Sequence, residues 1–247
     1  MIALLRDVVD AIAGGHVLPC FTPYRAAAQR LAPNLQRGQR LAAALNQALS
    51  EQPPIALRAG RLRFAEPAEL PPGEPYEAFI ARSACVPTRD NLHDLFNALV
   101  WLTFPSLKRR LNEAQATEIA RAGIGITRGA ARDALTLFDE NGALWPAPPP
   151  PLAAALRQRD WHALFITHRA LWRGTEPLLV GHALLEKLLR PRKAIAAHLW
   201  CLPIDADARR LVDGPHLPLP VLGVPGWWPA NETPGFYVDA AVFRPLR

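Results

Sequence analysis

Apolar residues recur mostly at three- and four-residue intervals along this chain, a spacing that predicts helices rather than strands. Residues 3–13 and 39–50 carry such faces, with Leu41, Leu45 and Leu49 four apart in the second. Residues 90–104 form the strongest helical pattern, which Pro105 ends, and a second helix follows over about 106–121. Trp161, Phe165, His168 and Trp172 fall on one helical face and read as core. A leucine-rich helix is expected over 177–190, with Pro177 in its first turn and Pro191 behind it.

Strand signals are fewer and shorter. Ile55–Arg58 and Arg61–Phe64 suggest a hairpin turning at Ala59-Gly60, which would pair Leu57 with Leu62 and Ile55 with Phe64. Leu135–Trp145 reads as two short strands about a tight turn at Asn141-Gly142. Residues 146–151 are nearly all proline and predict a stiff, extended surface crossing. The last thirty residues are rich in Pro and Gly and have no helical period. The expected fold is α+β and predominantly helical: several packed helices, one or two small β-hairpins and an irregular C-terminal segment. One domain over 1–247 is expected.

Composition narrows the classes. No apolar run is long enough for a membrane span. Arg6, Asp7 and Asp10 interrupt any signal-peptide apolar core and make the first helix amphipathic, which argues against export and for a cytoplasmic protein. Cys20, Cys85 and Cys201 match no zinc spacing and no disulfide framework. The net charge is +6, yet its basic residues are scattered arginines, with lysine only at 108, 187 and 193. Without clustered charge on one face, nucleic-acid binding is disfavoured. P-loop, dinucleotide-binding and nucleophile-elbow glycine patterns are absent from the sequence.

Pro87–Trp101 is the most informative stretch. Placed on a helix, Asp90, His93, Asp94 and Asn97 share a 100° arc, opposite Leu92, Leu95, Phe96 and Leu99. A plain solvent face would use Lys, Glu, Gln and Arg. Short acidic, imidazole and amide groups are instead metal ligands, or a general base with its orienting partner. Three readings stay open: the stripe lines a site, forms a buried polar network, or serves capping and exposure, with Thr88 or Asp90 as the cap. Arg89 and Asn91 border it.

His182 and Glu186 are one helical turn apart, a spacing that suits two ligands on one metal or a carboxylate orienting an imidazole. A core histidine bonded to Glu186 is the plainer alternative. Gly181 inside a helix implies a close approach there. Asp139 and Glu140 would sit in the expected turn, as structure or as site. His198, if it turns with His182 toward the stripe, could join a mixed His/carboxylate site, and the basic Arg190, Arg192 and Lys193 could bind an anionic group or form a solvated helix end.

Four segments carry a resemblance: Pro87–Asn97, Arg132–Gly142, Gly181–Lys187 and Leu222–Tyr237. Together they resemble the bacterial domain-of-unknown-function family 3025, over roughly residues 15–245. The resemblance brings with it no activity, cofactor or residue role. The expected function therefore rests on the residues: a metal-assisted or acid–base hydrolase acting on a small polar substrate. His93, Asp94, Asp90 and Asn97 would form one catalytic wall, and His182 and Glu186 another. His93, Asp94, His182 and Glu186 would be ligands to a divalent metal. The alternatives are a non-catalytic ligand-binding module and an arginine-driven nucleic-acid binder.

Overall fold

The computed structural model describes residues 1–122 and 129–246. The chain is α+β and mainly helical, and it forms two compact units. Unit 1 comprises residues 1–17, 21–136 and 207–212. Unit 2 comprises residues 18–20, 137–206 and 213–247.

Unit 1 opens with three helices: α1 (Ile2–Gly14), α2 (Arg25–Gln36) and α3 (Leu41–Ser50). Leu5, Val9 and Ile12 are the buried stripe of α1, at the expected helical spacing. Gly15 ends it in a left-handed turn at φ 76°, a conformation costly for side chains with a Cβ. The Arg25 guanidinium then donates to the exposed carbonyls of Ala13 and Gly14, tying α2 to the end of α1.

A hairpin follows, with its register shifted from the expected one. Strands β1 (Ala56–Leu57) and β2 (Gly60–Arg61) pair Leu57 with Gly60, so the turn is Arg58-Ala59. Gly60 adopts φ 140° there, a backbone state that glycine reaches at little cost. Leu62 consequently lies against Ile55, and Phe64 is released into β3 (Arg63–Ala65). That strand runs parallel to β4 (Cys85–Pro87), beyond helix α4 (Tyr76–Ser83). Asn46 of α3 closes the free edge of β3: its amide donates to the Phe64 carbonyl and accepts from the Phe64 N–H, both at 2.8 Å. Strand β4 leads directly into α5 (Leu92–Thr103), and α6 (Pro105–Ala122) follows.

The segment expected as a second hairpin is a helix. Helix α7 (Ala130–Asn141) buries Leu135 and Phe138, three residues apart, and β5 (Gly142–Leu144) begins at its end. The Asn141-Gly142 pair therefore stops a helix. A Cβ on Gly142 would fall 2.3 Å from the Phe138 carbonyl oxygen, so the chain can leave the helix this tightly only at glycine.

In unit 2, β5 belongs to a four-stranded sheet of order β6-β5-β7-β8. The other strands are β6 (Leu178–Leu179), β7 (Ala196–Trp200) and β8 (Leu217–Pro220). Strands β5 and β7 are parallel and the other pairs antiparallel. Helix α8 (Pro150–Gln158) starts within the proline run, whose last two prolines form its first turn. The extended crossing is therefore shorter than 146–151. Residues 163–167 form a wide π-helical turn and 169–172 a tight 3-10 turn rather than one long helix. They bury Phe165 and Trp172, while His168 stays half-exposed instead of joining the core. Phe165 stacks on Trp172 and Tyr237, and Trp172 stacks on Trp145. The Pro- and Gly-rich tail is pinned to this aromatic core by Asn231, which is fully buried. Its amide donates to the Leu222 and Val224 carbonyls. The leucine-rich helix is shorter than expected: α9 runs His182–Leu188, because Leu178 and Leu179 are taken by the sheet. Helix α10 (Arg209–Asp213), which precedes β8 in the chain, belongs to unit 1 up to residue 212. Among the described residues, no helix is long and apolar enough to cross a membrane.

Candidate functional site

Asp90 and Asp94, two members of the polar stripe of unit 1, serve a capping network. Asn91 is the N-cap of α5, and its side chain accepts from the Asp94 N–H at 2.7 Å. Asp94 reaches back over the same turn. Its carboxylate accepts from the Arg89 backbone N–H at 2.6 Å and from the Arg89 guanidinium at 3.1 and 2.9 Å. The carboxylate is nearly buried, and the charge-assisted bonds hold the Arg89 guanidinium above its ordinary range. Asp94 is therefore an anchor of the helix start, engaged through both oxygens.

Asp90 lies ahead of α5, contrary to the helical stripe read from the sequence. It also caps a different helix. Its Oδ1 accepts from the Leu41 N–H at the start of α3, at 2.8 Å, and its Oδ2 accepts from Arg40 Nε at 2.9 Å. Arg40 occupies the N-cap position of α3 and offers no acceptor, so a carboxylate from elsewhere in the unit does that work. Arg40 also pairs with Glu66 at 3.0 Å, and Asp90 holds its guanidinium up in pKa. Asn97 is buried and donates to the Tyr76 hydroxyl at 3.0 Å. His93 is half-buried on α5.

Unit 2 collects a different set. Asp139 and Glu140 occupy the last turn of α7, because that segment is helical. His182 is the first residue of α9 and is buried, and Gly181 is the N-cap rather than an interior residue. A Cβ on Gly181 would lie 2.6 Å from the Asn141 Cα and N and the Glu140 carbonyl oxygen. The start of α9 is thus pressed on the end of α7, an approach that only glycine permits. This contact sets His182 between two carboxylates. Its Nε2 is 3.5 Å from Glu140 Oε1, and its Nδ1 is 3.9 Å from Asp139 Oδ2. Glu186 follows one turn later on α9 and is half-buried.

The remaining candidates have other surroundings. Lys193 pairs with Asp239 at 3.1 Å and lies 4.5 Å from the Phe236 ring centre, so it fastens the tail. His198 is on β7, and its Nδ1 is 3.1 Å from His216 Nδ1. Sequence reasoning passed over His216, Tyr76 and Arg40. Their roles come from strand register and long-range capping, which leave no periodic signal.

One family model, described as a protein of unknown function (DUF3025), matches residues 62–215 and 208–247. The chain belongs to the DUF3025 family. The match includes the capping network of α5 and the His182 cluster. It begins after Arg40 and Leu41, the partners of Asp90. No curated protein and no solved structure matches the chain.

Proposed function

We propose that this DUF3025 protein is a metal-assisted hydrolase acting on a small polar substrate, with Glu140 and His182 as ligands of its divalent ion. One observation carries the reading: the 3.5 Å separation of Glu140 Oε1 and His182 Nε2. Two donors each about 2.1 Å from one ion, at a tetrahedral angle, lie about 3.4 Å apart. Asp139 stands on the other side of the same imidazole. At 3.9 Å from Nδ1 its carboxylate is too far to hydrogen-bond the ring and acts on it through charge alone. Two protein ligands would leave positions for water and substrate, and an ion held there would act as a Lewis acid on them.

The test is elemental mass spectrometry on tag-free protein purified without chelator. Near-stoichiometric zinc, manganese or iron is expected, lost in Glu140→Gln and His182→Gln with far-UV circular dichroism unchanged. Small ester, amide and phosphate substrates are then screened with the loaded protein. Protein that stays metal-free even after metals are added back overturns the reading.

The second reading is a non-catalytic ligand-binding module. The capping network favours it for the stripe of unit 1, since Asp90 and Asp94 are engaged through both oxygens. Asp94→Asn tests the structural role of the stripe: an unfolded variant assigns it to the fold, and turnover of any screened substrate by the loaded protein decides against the binding module.

A further inference from the structure

Unit 2 contains a second imidazole cluster, on the face of the sheet. His198 lies in β7, and His216 lies just ahead of β8, its antiparallel neighbour. Register pairs His198 with Pro218, so His216 is its diagonal neighbour across the ladder. The two rings stand edge to face, with centres 4.7 Å apart and planes at 80°. Like atoms face each other, Nδ1 to Nδ1 at 3.1 Å. Trp200 backs the pair, its ring centre 4.8 Å from that of His216. His198 is half-buried and His216 exposed, so solvent reaches the pair from one side.

We propose that His198 and His216 form a two-histidine site for a borderline divalent cation such as Cu²⁺ or Ni²⁺. Two nitrogens each about 2.0–2.1 Å from one ion, at angles from square to tetrahedral, lie about 2.9–3.4 Å apart. The observed 3.1 Å falls inside that range. Without an ion, the same distance requires one ring to donate an Nδ1 proton to the lone pair of the other. The cation takes the place of that shared proton.

Burial holds the His198 imidazole below the usual histidine range, and the neighbouring charges of His216 and Lys187 push the same way. The ring is therefore neutral at physiological pH, the form that ligates. The Lys187 ammonium is itself occupied, donating to Asn141 Oδ1 at 2.8 Å. The strands hold both rings before any ion arrives, and water completes the coordination on the exposed side. Imidazole ligands and the order of divalent affinities favour Cu²⁺ first, then Ni²⁺ and Zn²⁺.

This site is independent of the Glu140–His182 assignment, and its test keeps the two apart. Full-length protein is titrated with Cu²⁺ and followed by electron paramagnetic resonance, as wild type, His198→Gln and His216→Gln. Wild type is expected to give a signal split by two imidazole nitrogens. Each single variant is expected to bind at least tenfold more weakly and to lose that two-nitrogen pattern. Glu140→Gln should leave the signal intact. His216 is exposed, so His216→Gln tests ligation without disturbing the core, and circular dichroism verifies the fold of each variant. An unchanged two-nitrogen signal in folded His198→Gln or His216→Gln overturns the proposal. So does a wild-type signal abolished by Glu140→Gln alone.

Discussion

The start of α5 and the start of α9 both gather acidic and polar side chains at a helix N-terminus, yet at different distances. In unit 1, Asp94 accepts three hydrogen bonds at 2.6–3.1 Å and Asp90 two at 2.8–2.9 Å. Those carboxylates are consumed in closing helix ends. In unit 2, His182 meets its carboxylates at 3.5 and 3.9 Å, at and beyond the limit of a hydrogen bond. A glycine contact between two backbones sets that spacing. Donors packed to hydrogen-bond distance fix a fold. A spacing of 3.5 Å between a carboxylate oxygen and an imidazole nitrogen is also the spacing of two ligands on one ion.

The largest expected effect tests the first half of this contrast. Asp94→Ala removes a nearly buried acceptor of three bonds and should cost about 2–3 kcal/mol of stability. The urea midpoint, followed by far-UV circular dichroism, checks it. Metal content per folded molecule should not change. A midpoint within error of wild type would detach Asp94 from the architecture and return it to the site.

Gly181→Ala tests the second half. The added methyl would meet the backbone of Asn141 and Glu140 at 2.6 Å, and backbone cannot swing aside as a side chain does. Overpacking of this kind should cost about 2 kcal/mol. It should also pull His182 from Glu140 and lower metal content, measured on the folded fraction. A stable variant with full metal content would show that the spacing does not depend on this contact.

The two regions were unequally legible. Residues 92–103 were readable as a helix because Leu95, Phe96 and Leu99 repeat at its period. Their polar face was readable too, but its purpose was not. Asp90 caps a helix whose first residue is 49 positions earlier, and only the fold reveals that partner. The pattern around Asp139 and Glu140 is ambiguous, because Asn141-Gly142 is as good a helix stop as a hairpin turn. Gly181 was correctly read as a point of close approach, though it caps α9 rather than interrupting it. His216 had no signal at all, since pairing across β7 and β8 depends on register.

Asp90→Ala should cost about 1 kcal/mol, the usual worth of a helix cap, because it strips the acceptor from the Leu41 N–H. Asp90→Asn keeps one acceptor oxygen and should recover part of that loss. Thermal melts of the pair check the order. If the two variants are equal, the Arg40 ion pair outweighs the cap.

The smallest effect is expected at the outer edge of the network. Glu66→Gln removes the charge facing Arg40 but retains an oxygen to cap the short turn that begins at Pro67. Arg40 and Glu66 are largely exposed, so solvent and salt screen their attraction. Arg40 also keeps its bond to Asp90. A slight lowering of the urea midpoint at low salt is expected, and none at 0.5 M NaCl. A loss as large as that of Asp90→Ala, persisting in high salt, would mean that Glu66, Arg40 and Asp90 act as one unit. The contrast with unit 2 would then shift, because the closed network of unit 1 would draw its strength from charge as well as from caps.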